Sequence, residues 1–476
     1  MPVNVLFVVA EMAPLAKVGG VGDVGGSLAA ALRQQGLDVR VALPLYGSID
    51  RSALDLGRVA TPGDGATIWR TAVGEVPVYL VEHEAYFGRE RVYGYDDDLD
   101  RFLAFADGLL AGADALGWRP DVVHLNDWNT GFVATRLFED EHPWARAARV
   151  CTIHNLAYAS PFPETWAKDH GISSAALRSP DGLPAVLPYS ALAQGLLHAD
   201  AISTVSPTYA REILTPDAGG EMAPFLRTFG DRLWGILNGI DMQAADPATD
   251  RQLAANFDAE RLDERAANKR AVQRELGLPE DDVPLVGMIA RLVRQKGADL
   301  AAAAIERLLA GGERFQIAVL GEGEEQYERE LSALAARHPA HVGVRIAFDL
   351  KMSQLIYGGS DLFLMPSRYE PCGLGQMFAM RYGSVPVVHR TGGLADSVHQ
   401  YDAATDTGTG FLFGEPSADA LAATLREALS AYRDGEAWRR LQRRGMAEDF
   451  SWSRSAGEYV RLYDRSIELA RSARGR

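Results

Sequence analysis

Short runs of apolar, β-branched residues alternate with longer helix-prone stretches, and the alternation runs through the chain twice. In the first half the runs are VNVLFVVA (3–10), DVRVALP (38–44), DVVHL (121–125), RVCTIH (149–154) and AISTVS (201–206). Strands so uniformly apolar are covered on both faces, which calls for a parallel sheet with crossover helices between successive strands. A polar, helix-prone stretch follows Asp241, and the rhythm restarts with PLVGMIARL (284–292), FQIAVLGEG (315–323), VRIAF (344–348), DLFLMPS (361–367) and VPVVH (385–389). The predicted class is therefore α/β, with two parallel-sheet domains. The Asn-Gly turn in GILNGID separates them, giving an N-terminal domain over 1–243 and a C-terminal domain over 244–453, with a last helix over 454–476 completing the first. Open parallel sheets bind ligands beyond the carboxyl ends of their strands, so two facing sheets are expected to leave a deep cleft.

Charge and composition exclude several function classes. The 64 acidic residues outnumber the 48 basic ones, for a formal charge of -16, so no nucleic acid is expected as a partner. A small phosphorylated ligand stays compatible with that balance, because a few cations in a cleft outweigh a distant negative surface. No apolar run approaches the roughly 18 residues that a membrane helix needs, so no membrane partner is expected. No basic region precedes the first apolar run, which speaks against a secretory signal. The two cysteines, Cys151 and Cys372, have neither the number for a disulfide framework nor the spacing of a zinc site. A reduced, cytoplasmic protein is the expectation.

Three segments carry candidate chemistry. After the first strand, Gly20, Gly22 and Gly25 stand in the spacing G-x-G-x-x-G. They follow the strand too late for a dinucleotide fingerprint, and the second strand ends in Pro44-Leu45-Tyr46 without a ribose-binding acid. The segment reads either as a loop whose amides, with Lys17, approach a phosphate or sugar, or as a flexible turn with a solvated lysine. Arg291 and Lys296, in IARLVRQKG, leave a buried strand together; they suit a diphosphate, although a basic surface loop is the commoner fate of such residues, and only partner motifs decide for the former. Glu370 precedes a Pro-Cys-Gly-Leu turn that opens a helix, where it can accept sugar hydroxyls or simply interact with the helix dipole. Asp96, Asp97, Asp98 and Asp100 look like a metal-binding Asp-x-Asp cluster, yet they precede a helix expected to begin near Arg101 and serve as caps. His83, His124, His198 and His389 share no ligand spacing, and no metal is expected.

Taken together, the segments resemble the bacterial glycogen synthase and plant starch synthase family, retaining glucosyltransferases of the GT-B fold with two Rossmann-like domains. The resemblance rests on KVGGVGDV (17–24), TIHNLAY (152–158), GILNGID (235–241), RLVRQKG (291–297), SRYEPCGLGQM (367–377), TGGLADSV (391–398) and FSW (450–452), in the family's order over nearly the whole chain. It implies that Lys17, Gly19 and Gly20 contact the nucleotide sugar and that Arg291 and Lys296 sit on its diphosphate, the three cations standing in for a metal. It implies His154 and Asn238 against the transferred glucose, Glu370 on glucose hydroxyls, and Cys372, Gly373 and Leu374 lining the same pocket. Phe348 takes the place of an aromatic under the adenine, with Tyr369 a weaker candidate for such a contact.

The chain departs from the pattern at Asn126-Asp127-Trp128-Asn129, where many relatives have His-Asp-Trp-His. Asp127 is kept and is expected to bind acceptor or donor hydroxyls, whereas both flanking imidazoles are absent. Phe378 stands where the wider superfamily repeats a glutamate, as is usual in the glycogen and starch synthase branch. The implied reaction moves glucose from ADP-glucose, a cosubstrate, to the nonreducing end of glycogen or another α-1,4-glucan with retention and without a cofactor. Alternatives are another GT-B transferase using UDP-glucose or a different acceptor, and a noncatalytic glucan-binding protein. The motifs carry no signal for an oligomeric state.

Overall fold

The computed structural model describes residues 2–63, 65–139 and 142–474. They form two compact units, Met1–Gly239 with Ser451–Arg476, and Ile240–Phe450. The division falls directly after the Asn238-Gly239 pair, slightly before the limit at residue 243 read from the sequence, and the final helix, Trp452–Arg474, begins slightly earlier than expected. Residues 475 and 476 of the basic end lie outside the described residues.

The first unit is built on a nine-stranded sheet. Its strands are β1 (Asn4–Val8), β2 (Asp38–Pro44), β3 (Gly57–Gly63), β4 (Ala66–Val73), β5 (Val76–His83), β6 (Val122–Asn126), β7 (Ala148–Ile153), β8 (Ala201–Thr204) and β9 (Leu233–Gly235). Their order is β3-β4-β5-β2-β1-β6-β7-β8-β9. The apolar run Val5–Val9 is fully buried and pairs in parallel with β2 on one side and β6 on the other. One part of the expectation is corrected: the sheet is mixed, because β3, β4 and β5 form an antiparallel meander at one edge. Alternating polar and apolar residues there, as in β4 with only every second or third side chain buried, suit an edge open to water on one face.

The helix Gly20–Gln34 packs on the chain leaving β1, and its glycines permit the approach. A Cβ on Gly25 would lie 2.3 Å from the Glu11 carbonyl oxygen, and one on Gly26 2.7 Å from that of Ala13. The final helix closes the same sheet with Tyr459, Leu462 and Tyr463, all fully buried. Tyr463 Oη lies 2.8 Å from His124 Nδ1, and His124 Nε2 lies 2.6 Å from Thr152 Oγ1, so the returning helix is tied into a polar line across β6 and β7. Tyr463→Phe leaves a buried imidazole nitrogen unpaired and is expected to cost about 1–3 kcal/mol, read as a lower midpoint in urea.

The second unit has six parallel strands in the order β12-β11-β10-β13-β14-β15. They are β10 (Leu285–Ile289), β11 (Gln316–Leu320), β12 (Val342–Arg345), β13 (Leu362–Met365), β14 (Val385–His389) and β15 (Phe411–Phe413). Val286, Met288, Ile317, Leu362 and Val387 fill its centre, covered by the alanine-rich helices Ala298–Ala310 and Ala418–Ala431. The strand expected over 344–348 ends at Arg345, which leaves Phe348 in the following loop. Among the described residues no helix is long and apolar enough to cross a membrane.

Candidate functional site

The candidate residues of the first unit follow the carboxyl ends of its parallel strands. Glu11 and the glycine loop follow β1, Asp127 follows β6, His154 follows β7 and Asn238 follows β9. In a parallel sheet this is the edge at which backbone amides and loops are free to meet a ligand. Asn238 is buried, and its Oδ1 has no hydrogen-bond partner among the described residues. A buried acceptor left unpaired is costly, so this atom is suited to a hydroxyl donated from outside the protein.

The glycine loop is held from within. The buried Glu11 carboxylate accepts from the amides of Val18 (2.6 Å) and Gly19 (2.8 Å) through one oxygen, and from the Tyr93 hydroxyl (2.7 Å) through the other. The loop amides of Val18 and Gly19 are thus already engaged, contrary to the reading of the loop as a set of open donors. Gly19 caps the helix, Gly20 is its first residue, and a Cβ on Gly22 would lie 2.9 Å from the Lys17 stem. Lys17 Nζ reaches Asp23 Oδ1 at 2.7 Å with its side chain 47% exposed. An exposed pair of this kind contributes little, so a phosphate can take the ammonium from Asp23 at small cost.

Asp127 and His154 are joined. Asp127 has φ 55° and ψ -171°, a conformation a non-glycine residue rarely adopts, and holds it while Oδ1 accepts from the His154 amide at 2.7 Å. Burial pushes the Asp127 carboxyl up to about 7, with the nearby Glu11 charge adding to the effect and the amides of His154 and Asn155 opposing it. His154 is buried, and that burial pulls its imidazole down to about 4, so it is neutral near pH 7. A carboxyl raised on folding stabilises the protein fully below its unfolded value and loses that contribution as pH rises through 7. Asp127→Asn is therefore expected to flatten the loss of stability between about pH 4 and pH 7, measured by urea unfolding at each pH.

In the second unit the candidates again follow strand ends. Arg291 lies exposed just beyond β10. Lys296 ends the turn Arg294–Lys296, and Gly297, at φ 71°, turns the chain so closely past Pro366 that a Cβ would lie 2.1 Å from its carbonyl oxygen. This brings Lys296 Nζ to 2.6 Å from Glu370 Oε2, which also accepts from Ser367 Oγ at 2.9 Å. Glu370 is 4% exposed, so its carboxylate is shielded and its partners few. Cys372, buried, and Gly373, at φ 71°, lead into Leu374, the cap of helix Gly375–Arg381. Phe348 is 77% exposed, an uncovered aromatic face, while the Tyr369 carbonyl is bonded to Gln295 Nε2.

The four aspartates stand apart from these groups. Asp98 begins the helix Asp98–Ala111, earlier than Arg101, and bonds Arg101 and the amides of Gly94 and Tyr95. Asp97 pairs with Arg89, and Asp100 accepts from Trp166 Nε1. Four contributors escaped the sequence reading: Glu11, Tyr93, Ser367 and the glycine pair Gly392-Gly393, which braces Glu370 by passing close to its carbonyl oxygen and donating the Gly393 amide to it at 3.1 Å. The last had a signal in TGGLADSV, since paired glycines after a strand mark a close backbone approach. Glu11 had a weaker one, a carboxylate immediately after an apolar strand.

Known families match both halves of the chain. Residues 4–228 match the starch synthase catalytic domain, and residues 269–445 match the glycosyl transferases group 1. The chain is 44% identical to a glycogen synthase of Syntrophotalea carbinolica, over 98% of this chain and 99% of the relative. It is 46% identical to one of Anaeromyxobacter dehalogenans, over 97% and 99%. Its structure is similar to the catalytic domain of starch synthase IV from Arabidopsis thaliana, solved with ADP and acarbose, with a TM-score of 0.89 and 36% identity over 98% of this chain and all of that one.

Proposed function

The chain belongs to the glycogen and starch synthase family of GT-B glycosyltransferases, and from that premise we propose that it moves glucose from ADP-glucose to the nonreducing end of an α-1,4-glucan, retaining configuration. The observation that most supports this reading is the shielded Lys296–Glu370 pair beside Ser367. It sets a cation for phosphate next to a carboxylate for sugar hydroxyls, which is what a nucleotide sugar presents at its scissile bond. The relative solved with ADP supports a nucleoside diphosphate as part of the donor. Phe348 supplies a face for the base.

As the glycosidic bond to the diphosphate breaks, negative charge collects on the leaving phosphate, where Lys17, Arg291 and Lys296 stabilise it without a metal. Positive charge spreads over the sugar ring, to which the His154 carbonyl is assigned. Glu370, Asn238 and Asp127 hold hydroxyls. The acceptor hydroxyl enters from the face the phosphate leaves, and its proton passes to that phosphate. Cys151 and Cys372 are both buried and in no disulfide among the described residues, which supports a reducing, cytoplasmic setting. Protein given labelled ADP-glucose and glycogen should release the label as maltose under β-amylase, which requires a new α-1,4 bond at a nonreducing end; label resistant to that enzyme would overturn the linkage.

A further inference from the structure

The departure at Asn126 has a structural consequence. Asn126 Nδ2 donates to the Val8 carbonyl oxygen at 3.0 Å, and Asn126 Oδ1 lies 2.9 Å from His154 Nε2. The amide cannot be turned over, because that would place two acceptors against each other in the buried line between β1 and β6. Its backbone is fixed as well, with the amide accepted by Thr130 Oγ1 at 2.7 Å. The oxygen presented to His154 therefore demands a proton on Nε2. With one ring proton in the neutral imidazole, Nδ1 carries a lone pair, and no group among the described residues bonds it.

We propose that Asn126 is a positioning residue that locks His154 as the Nε2–H tautomer, so that His154 meets the substrate as a hydrogen-bond acceptor, through Nδ1, for one sugar hydroxyl. The inference rests on the assignment of His154 to the donor glucose. A histidine at position 126 could accept or donate and would impose no single tautomer, so the asparagine makes the recognition more restrictive. The test uses the full chain labelled with ¹⁵N-histidine. In the unaltered protein the His154 signal should show a protonated Nε2 and a bare Nδ1, and in Asn126→Leu it should become a mixture of tautomers. Turnover of Asn126→Leu should fall about tenfold. A set of ADP-glucose analogues, each lacking one hydroxyl, should reveal a single position at which the unaltered protein discriminates and the variant does not. A protonated Nδ1 in the unaltered protein overturns the tautomer assignment, whether or not glucose is transferred. The expected tautomer with unchanged discrimination in Asn126→Leu overturns the positioning role. Loss of all transfer in the unaltered protein, with the tautomer as expected, overturns the donor reading and leaves the tautomer assignment standing.

Discussion

Lys296→Ala is expected to lower turnover by roughly 10²–10³-fold, the worth of one preorganised cation proposed to face the leaving phosphate. The fold should survive, because Glu370 keeps its bond from Ser367 Oγ and the lysine side chain is 20% exposed. Two companions separate chemistry from structure. Lys296→Met retains the aliphatic stem, and Glu370→Gln removes the charge that Lys296 balances. If the pair served stability alone, the double variant would recover both stability and activity. On the present account it recovers stability only, because the phosphate has lost its cation and the sugar its carboxylate. Near-normal turnover in Lys296→Ala, at saturating donor, would contradict the role given to this residue.

The second large effect comes from a residue with no side chain to contribute. Gly392 has φ 44°, and a Cβ there would lie 1.9 Å from the Glu370 carbonyl oxygen. Its neighbour Gly393 donates its amide to that same oxygen at 3.1 Å, and a Cβ on Gly393 would meet the Cys372 carbonyl oxygen at 2.2 Å. The obstructing atoms are backbone, which cannot swing aside as a flexible side chain can. Gly392→Ala thus combines overpacking with a disfavoured φ and is expected to cost about 2–5 kcal/mol. Relief would come from moving residues 370–372, and a displacement near 1 Å lowers turnover by about 10²-fold. Gly457→Ala is the control: nothing lies within 4 Å of its Cβ position on the final helix. It should stabilise by about 0.5–1 kcal/mol without touching turnover. An active, fully stable Gly392→Ala would show that the brace does not set Glu370.

The parallel strands were legible because burial on both faces leaves uninterrupted apolar runs, as in Val5–Val9 and Ile317–Leu320. The meander β3–β5 was not, since a search tuned to such runs passes over half-buried strands, although the turn before β5 carries the glycine of a hairpin, Gly74, at φ 56°. Motif spacing indicated Lys296 and Glu370 as candidates without indicating that they touch, because seventy-odd residues separate them and only β10 and β13 lying side by side joins them. Asn126 was read as a missing imidazole. Its actual partners, Val8 and His154, come from the ends of two other strands, and no local pattern encodes that meeting. The same holds for Glu11, whose partners Val18, Gly19 and Tyr93 arrive from two loops.

The proposed transfer from ADP-glucose relies on protein cations in the place of a metal. It is tested most directly by glucose incorporation into glycogen by the purified chain, with ADP-glucose or UDP-glucose supplied in parallel, each with and without EDTA. The account predicts incorporation that favours ADP-glucose and is unchanged by the chelator. Incorporation abolished by EDTA and restored by a divalent cation would contradict the metal-free site, and none from either donor with folded protein and several glucan primers would contradict the synthase activity itself.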